Sequence, residues 1–185
     1  MQPWRFLRVT DSALRQRLHQ AVEHERLQTA QALGERGEAF LRLKVEGLLE
    51  CAELLAVVLA NDRERHVFGR RTMPHMDLAS TACAIQNLWL AARAEGLGMG
   101  WVSVFDPQDV AVLLGLPPGA EAVALLCLGP VDRFYDEPML QQQQWARREA
   151  LPSLVYDNAW GQPSSLFGGD GSDSSPALPD QPRAD

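Results

Sequence analysis

The chain has 185 residues, 46% hydrophobic and 22% charged, which is the composition of a globular domain able to bury a core and excludes disorder throughout. Its formal net charge of -7 has the wrong sign for gripping a polyphosphate backbone, so nucleic-acid binding is disfavoured. No apolar run is longer than Leu54 to Ala60, far short of the ~20 residues that span a bilayer, and no basic-plus-apolar leader opens the chain; no membrane or export address is visible, and a cytoplasmic location is expected.

In chain order, Trp4 to Val9 alternates as a short strand, after which Thr10 or Asp11 can cap a helix carrying Leu14, Leu18, Ala21 and Val22 on one face. Phe40, Leu43 and Gly47 suggest a second helix. Leu54 to Ala60 has the length of a buried strand and stops at Asn61 and Asp62. From Arg63 to Pro74 the chain gathers Arg63, Arg65, Arg70 and Arg71 around His66, offset only by Glu64. This segment is expected to be an unburied loop or short helix, either a solvated basic face or a holder of an anionic ligand.

Asp77 starts the clearest helix, with Leu78, Ala82, Ile85, Trp89 and Ala92 on one face and Ala79, Cys83 and Leu90 on another. Such a helix, apolar nearly all round, is expected to be central and buried. Gly96, Gly98 and Gly100 follow a helix and precede a strand, the reverse of a dinucleotide fingerprint, so Gly96 is read as a helix C-cap. Trp101 to Phe105 reads as a strand, Pro107 to Leu114 as a short helix opened by Asp106, and Val123 to Leu128 as a further buried strand. Helices packed on a sheet follow, in a mixed α/β or α+β domain. Beyond Gln162, Pro, Ser, Gly and Asp dominate, and residues 162–185 are expected to form a disordered tail after a domain spanning 1–161.

The chemistry-bearing residues exclude several classes. His19, His24, His66 and His75 lack metal-ligand spacing, and neither a G-x-S-x-G elbow nor a phosphate-cradling G-x-x-x-x-G-K-[ST] loop is present. Cys51, Cys83 and Cys127 are odd in number and lie in or beside apolar stretches, as buried free thiols of a reducing compartment do. Lys44 is the single lysine among the 17 basic residues.

Four segments carry more. Met1-Gln2-Pro3-Trp4-Arg5-Phe6, Gly69-Arg70-Arg71-Thr72-Met73-Pro74 with Met76-Asp77, Ile85-Gln86-Asn87-Leu88 running to Gly96, and Gly100-Trp101-Val102-Ser103-Val104-Phe105-Asp106-Pro107 strongly resemble the 5,6-dimethylbenzimidazole synthases. That family is a branch of the FMN-dependent nitroreductase superfamily, and the resemblance runs over about residues 1–161. The Q-P-W and I-Q-N-L motifs belong to the superfamily at large, while G-R-R-T-M-P and G-W-V-S-x-F-D-P look specific to the branch.

The resemblance implies an α+β, nitroreductase-like three-layer sandwich with a mixed central sheet flanked by helices, and a homodimer with flavin at the interface. The implied reaction consumes reduced FMN: with molecular oxygen the flavin is fragmented to 5,6-dimethylbenzimidazole, the lower ligand of cobalamin, with release of erythrose 4-phosphate. A flavin reductase would supply the reduced FMN. Alternative readings are an NAD(P)H-dependent FMN nitroreductase or dehalogenase and, from another class, a non-catalytic flavin-binding or interaction subunit.

By motif match, Ser103 is the implied catalytic residue, beside the flavin's central nitrogen, where a hydroxyl can donate and accept a hydrogen bond. Trp101 and Val104 would line the ring, Lys44 would stand near the pyrimidine edge, and Arg148 matches an arginine that relatives use on the FMN phosphate. Gln2, Pro3 and Trp4 match the segment that packs near the flavin across the dimer interface. Relatives also carry, ahead of Q-P-W, an arginine-rich motif and an aspartate important for fragmentation. Met1 here stands just before Gln2, so the expectation is a start site assigned too late, or a fragment, with a short non-catalytic paralogue as the competing explanation.

Overall fold

The computed structural model describes residues 2–42, 47–65 and 68–167. They fall into two compact units, the first ending at Phe134 and the second beginning at Tyr135.

The first unit is built on a four-stranded sheet in the order β1-β2-β4-β3, formed by β1 (Trp4–Val9), β2 (Glu53–Leu59), β3 (Leu97–Val102) and β4 (Glu121–Pro130). Among the described residues every pairing is antiparallel, which corrects the mixed sheet implied by the resemblance. The reason lies in β4: β2 and β3 do run in the same direction across their helical connection, but β4 inserts between them and opposes both. A bulge at Val123, where Val57 pairs with Ala124 and Val58 with Ala122, puts Ala122 and Leu125 on one face although they are three residues apart.

Helices cover both faces, giving three layers. On one side α1 (Ser12–Ala32), α3 (Gly47–Glu50) and α5 (Pro107–Leu114) bring Leu18, Val22, Leu48 and Val110 onto Leu54, Ala56 and Leu125. On the other side α4 (Met76–Ala94) lays Ile85 over Val57, Ala124, Leu126 and Met99. Each fully buried Leu or Ile contributes about 1.5–3 kcal/mol, so the strand alternation itself secures both layers. Asp11 is the N-cap of α1, its carboxylate accepting from the Leu14 amide at 2.8 Å. The expected helix around Phe40 and Gly47 is two short pieces, α2 (Gly37–Leu41) and α3, separated by residues outside the described set.

Strand β3 spans Leu97–Val102 rather than 101–105. Gly96 at φ 75 ends α4 in the left-handed region, so the chain enters the sheet at once. Gly98 hid this strand from its composition; its missing Cβ is required, because an added one would collide with the Val131 side chain.

In the second unit, α6 (Met139–Gln142) is followed by a 3-10 turn at Leu151–Leu154 and a closed loop in which Tyr156 bridges to Pro163. Asp157 organises that loop. Its carboxylate accepts from the Ser165 amide and from the Ser164 and Ser165 hydroxyls, all at 2.8 Å, and the amide bond chiefly holds it below its ordinary titration range. The expected start of the tail at Gln162 thus falls inside a hydrogen-bonded loop that continues to Phe167. Among the described residues no helix is long and apolar enough to cross a membrane.

Candidate functional site

Ser103 follows the last paired residue of β3, Val102, which faces Leu125. The chain leaves the ladder there because Phe105 turns into the core and Asp106 caps α5, accepting from the Gln108 amide at 2.7 Å with Pro107 in the first turn. Ser103 and Val104 are therefore held between a rigid strand and a capped helix. Ser103 is exposed, and its hydroxyl has no protein partner among the described residues. Trp101, 38% exposed, pairs with Leu126 and so stands on the α4 side of the sheet. Val104 is half-buried.

Gln2, Pro3 and Trp4 lie at the start of β1. Pro3 is buried and its carbonyl accepts from the Ala60 amide at 2.7 Å, while Gln2 is exposed. The Trp4 indole meets Phe6 edge-on, centroids 5.3 Å apart, and Phe6 packs against the cluster under α4. Trp4 and Trp101 thus share a sheet face. They do not share an edge: β1 and β3 are the two outermost strands, three inter-strand spacings or about 14 Å apart. Within one chain the structure brings Trp101, Ser103 and Val104 together and leaves Gln2, Pro3 and Trp4 apart from them.

Helix α4, expected to be buried all round, is buried along one face only. Asp77, Thr81, Ile85 and Ala92 face inward, while Leu78, Cys83 and Leu90 are exposed, Leu90 at 59%. It is the single helix on its side of the sheet among the described residues of this unit, so no protein layer covers its outer stripe. Cys83, expected to be buried, is exposed for the same reason, and all three thiols are free.

The basic segment is a short 3-10 helix followed by turns and is mostly exposed, as expected, with two side chains as exceptions. Arg63 and Arg70 fold inward onto the buried Asp77 in the first turn of α4, with Oδ2 at 3.3 Å from Arg63 Nε and 2.8 Å from Arg70 Nε. Arg63 further donates to the carbonyls of Ala60 and Gly119. Two of the four arginines are structural ties, since the carboxylate they converge on is buried in the first turn of α4; Arg71 remains exposed. The sequence did carry a signal for this, an acid opening a helix directly after an arginine-rich loop.

Arg148 is exposed and belongs to the second unit. Lys44 lies outside the described residues.

Comparison with known proteins places these features. The profile of the nitroreductase family matches residues 1–130. The chain is 42% identical over 153 residues to a 5,6-dimethylbenzimidazole synthase of Rhodobacter capsulatus, covering 82% of this chain and 73% of that protein. It is 43% identical over 154 residues to the protein of that name from Rhodospirillum rubrum, covering 82% of this chain and 72% of the other. Among solved structures, an oxidized iodotyrosine deiodinase bound to FMN and 3-iodo-L-tyrosine superposes with a TM-score of 0.63 at 24% identity, over 85% of this chain and 77% of that one. That likeness supports the fold.

Proposed function

The chain belongs to the nitroreductase family, and from that premise we propose that it converts reduced FMN and molecular oxygen to 5,6-dimethylbenzimidazole. The observation that carries this reading is the 42–43% identity, over 82% of the chain, to proteins named for that synthesis. Flavin is the group the family implies, and the residues at the end of β3 fit its ring: an exposed indole, a half-buried valine and an unpartnered hydroxyl, on a segment fixed at both ends.

Bound reduced FMN would supply both the electrons for oxygen and the carbon skeleton of the product. The protein's part is to hold and shield. Trp101 and Val104 give an apolar wall that excludes water from the ring. Ser103, able to donate and accept at one oxygen, holds or moves a proton at the flavin's central nitrogen. By motif match alone, Arg148 is the candidate for the phosphate, which suits a guanidinium fork, and Lys44 the candidate for the pyrimidine edge.

Gln2, Pro3 and Trp4 complete the site from a second copy of the chain. The opposite-edge placement of Trp4 and Ser103 and the uncovered stripe of α4 support this homodimer. A separate flavin reductase supplies reduced FMN, and the enzyme works in the cytoplasm.

The test follows the flavin. Protein mixed with FMN is reduced without oxygen, then opened to air. Permanent loss of part of the flavin absorbance, in proportion to enzyme, supports fragmentation. Complete return of the oxidised spectrum, with steady turnover of a nitroaromatic on adding NAD(P)H, supports a conventional nitroreductase instead.

A further inference from the structure

Cys51 and Cys127 are distant in sequence and have no place in the flavin reading. Cys51 directly follows α3, its amide donating to the Gly47 carbonyl at 2.9 Å. Cys127 stands in β4, in register with Leu54 of β2 and Gly100 of β3. Both are half-buried, both pack against the core cluster under α1, and both lie against Gly47 at the start of α3.

Gly47 and Gly100 locate Cys127 relative to α3 and β3. A Cβ at Gly47 would lie 3.7 Å from Cys127 Sγ, and one at Gly100 would lie 3.8 Å from Cys127 Cβ. Both glycines therefore border Cys127 directly, and through Gly47 the start of α3 is brought against this point of β4.

The two sulfurs are not equivalent. Arg15 Nη1 sits 2.8 Å from the Cys51 carbonyl oxygen and 3.9 Å from Cys51 Sγ, a cation placed to stabilise negative charge that develops on that sulfur. Burial first, and then the nearness of Cys51, push the Cys127 thiol up to about 12, so Cys127 keeps its proton at neutral pH.

We propose that Cys51 and Cys127 are a peroxide-responsive thiol pair, in which Cys51 reacts first and Cys127 closes an intramolecular disulfide between the end of α3 and β4. In the first step the Cys51 sulfur attacks hydrogen peroxide, the O–O bond breaks, the sulfur keeps one oxygen as a sulfenic acid and the other leaves as water. In the second step the Cys127 sulfur displaces the sulfenic oxygen, which takes up the Cys127 proton and leaves as a second water. Two thiols and one peroxide thus give one disulfide and two waters. The exposed Cys83, on the outer face of α4 across the sheet, takes no part.

The experiment uses the reduced protein exposed to hydrogen peroxide, followed by intact mass measurement and peptide mapping without reductant. The expected result is a loss of 2 Da, reversed by dithiothreitol, with a peptide joining Cys51 to Cys127 in at least tenfold excess over any other linkage. Cys83→Ser should keep the shift, and Cys51→Ser and Cys127→Ser should abolish it. In Cys127→Ser the sulfenic acid should persist at Cys51 and be trapped by dimedone. A mass unchanged with both thiols still alkylatable, a linkage through Cys83, or trapping at a residue other than Cys51 would overturn the proposal. The wild-type peptide map decides the linkage even where a serine variant folds poorly.

Discussion

Trp4 and Ser103 lie toward the same end of the sheet on its two opposite edges, because β1 starts where β3 finishes while β2 and β4 separate them. A ligand touching both within one chain would have to reach about 14 Å across two strands. Two copies related by a twofold axis remove that requirement, each giving its β1 start to the other's β3 end.

Dimerisation through the α4 face is therefore the first prediction. Light scattering should give twice the chain mass, and Leu90→Glu should give a monomer that has lost FMN but kept its far-UV dichroism, since Leu90 is a surface residue within one copy. A monomeric wild-type protein that still carries FMN would contradict the shared site.

Ser103→Ala removes one hydrogen-bonding group, worth about 0.5–1.5 kcal/mol net, and adds no bulk. FMN affinity, dominated by phosphate and ring contacts, should hardly change. The yield of 5,6-dimethylbenzimidazole per flavin should fall at least tenfold. Product at the wild-type rate would make Ser103 a mere link between β3 and α5; loss of FMN would make it a binding residue.

Much of this architecture was legible in the sequence, for identifiable reasons. The alternation of Trp4 to Val9 and the apolar run before Asn61 correspond to β1 and β2 nearly residue for residue; of the two expected caps Thr10 and Asp11 it is Asp11 that opens α1, and Asp106 opens α5 as expected. The β3 strand was misplaced because Gly98 and Gly100 have poor strand propensity, and what selects glycine at position 98 is Val131, a distant neighbour that local pattern does not show. The direction of pairing was missed because β4, last in the chain, inserts into the middle of the sheet. At the candidate site, Ser103, Trp101 and Val104 are singled out by their motif, and their proximity is local in sequence. The Asp77 ties had a local signal in the arginine-rich loop just before α4, whereas the approach of Cys51 and Cys127 to Gly47 joins segments distant in sequence, so spacing alone could not reveal it.

The Asp77 cluster carries a stability prediction. Asp77→Ala would leave the Arg63 and Arg70 guanidinium groups, each with 15% of the side chain exposed, without their shared carboxylate. Removing one member of a buried ion pair costs about 3–5 kcal/mol. Urea denaturation should show a loss of that order, whereas Glu53→Gln, which breaks the exposed pair with Arg8, should barely move the midpoint. Equal, small effects would mean that Asp77 is not the anchor of the basic segment.

The loop around Asp157 should respond to acid. Its folded carboxyl titrates below the ordinary 3.8, so its stabilisation is complete above that value and is lost as pH falls through the depressed one. Trp160, whose ring lies 5.1 Å from that of Tyr156, offers a reporter within the loop. Its indole NMR signal should hold its position down to about pH 4 and move toward a random-coil position below it. In Asp157→Asn the signal should already be displaced at neutral pH, with no acid transition remaining. A wild-type signal unchanged to pH 2 would contradict the assignment of the loop to this carboxylate.

The fate of the flavin ring carbons tests the central claim most directly. The protein produced from its own locus, with any sequence that precedes Met1, is incubated with FMN labelled with carbon-13 in the dimethylbenzene ring, a reductant and air, and the products are separated by mass spectrometry. Labelled 5,6-dimethylbenzimidazole, formed in proportion to FMN lost and absent without oxygen, is the predicted result. Recovery of all the label as intact FMN, with the nicotinamide cofactor oxidised and a nitroaromatic reduced in its place, would contradict it.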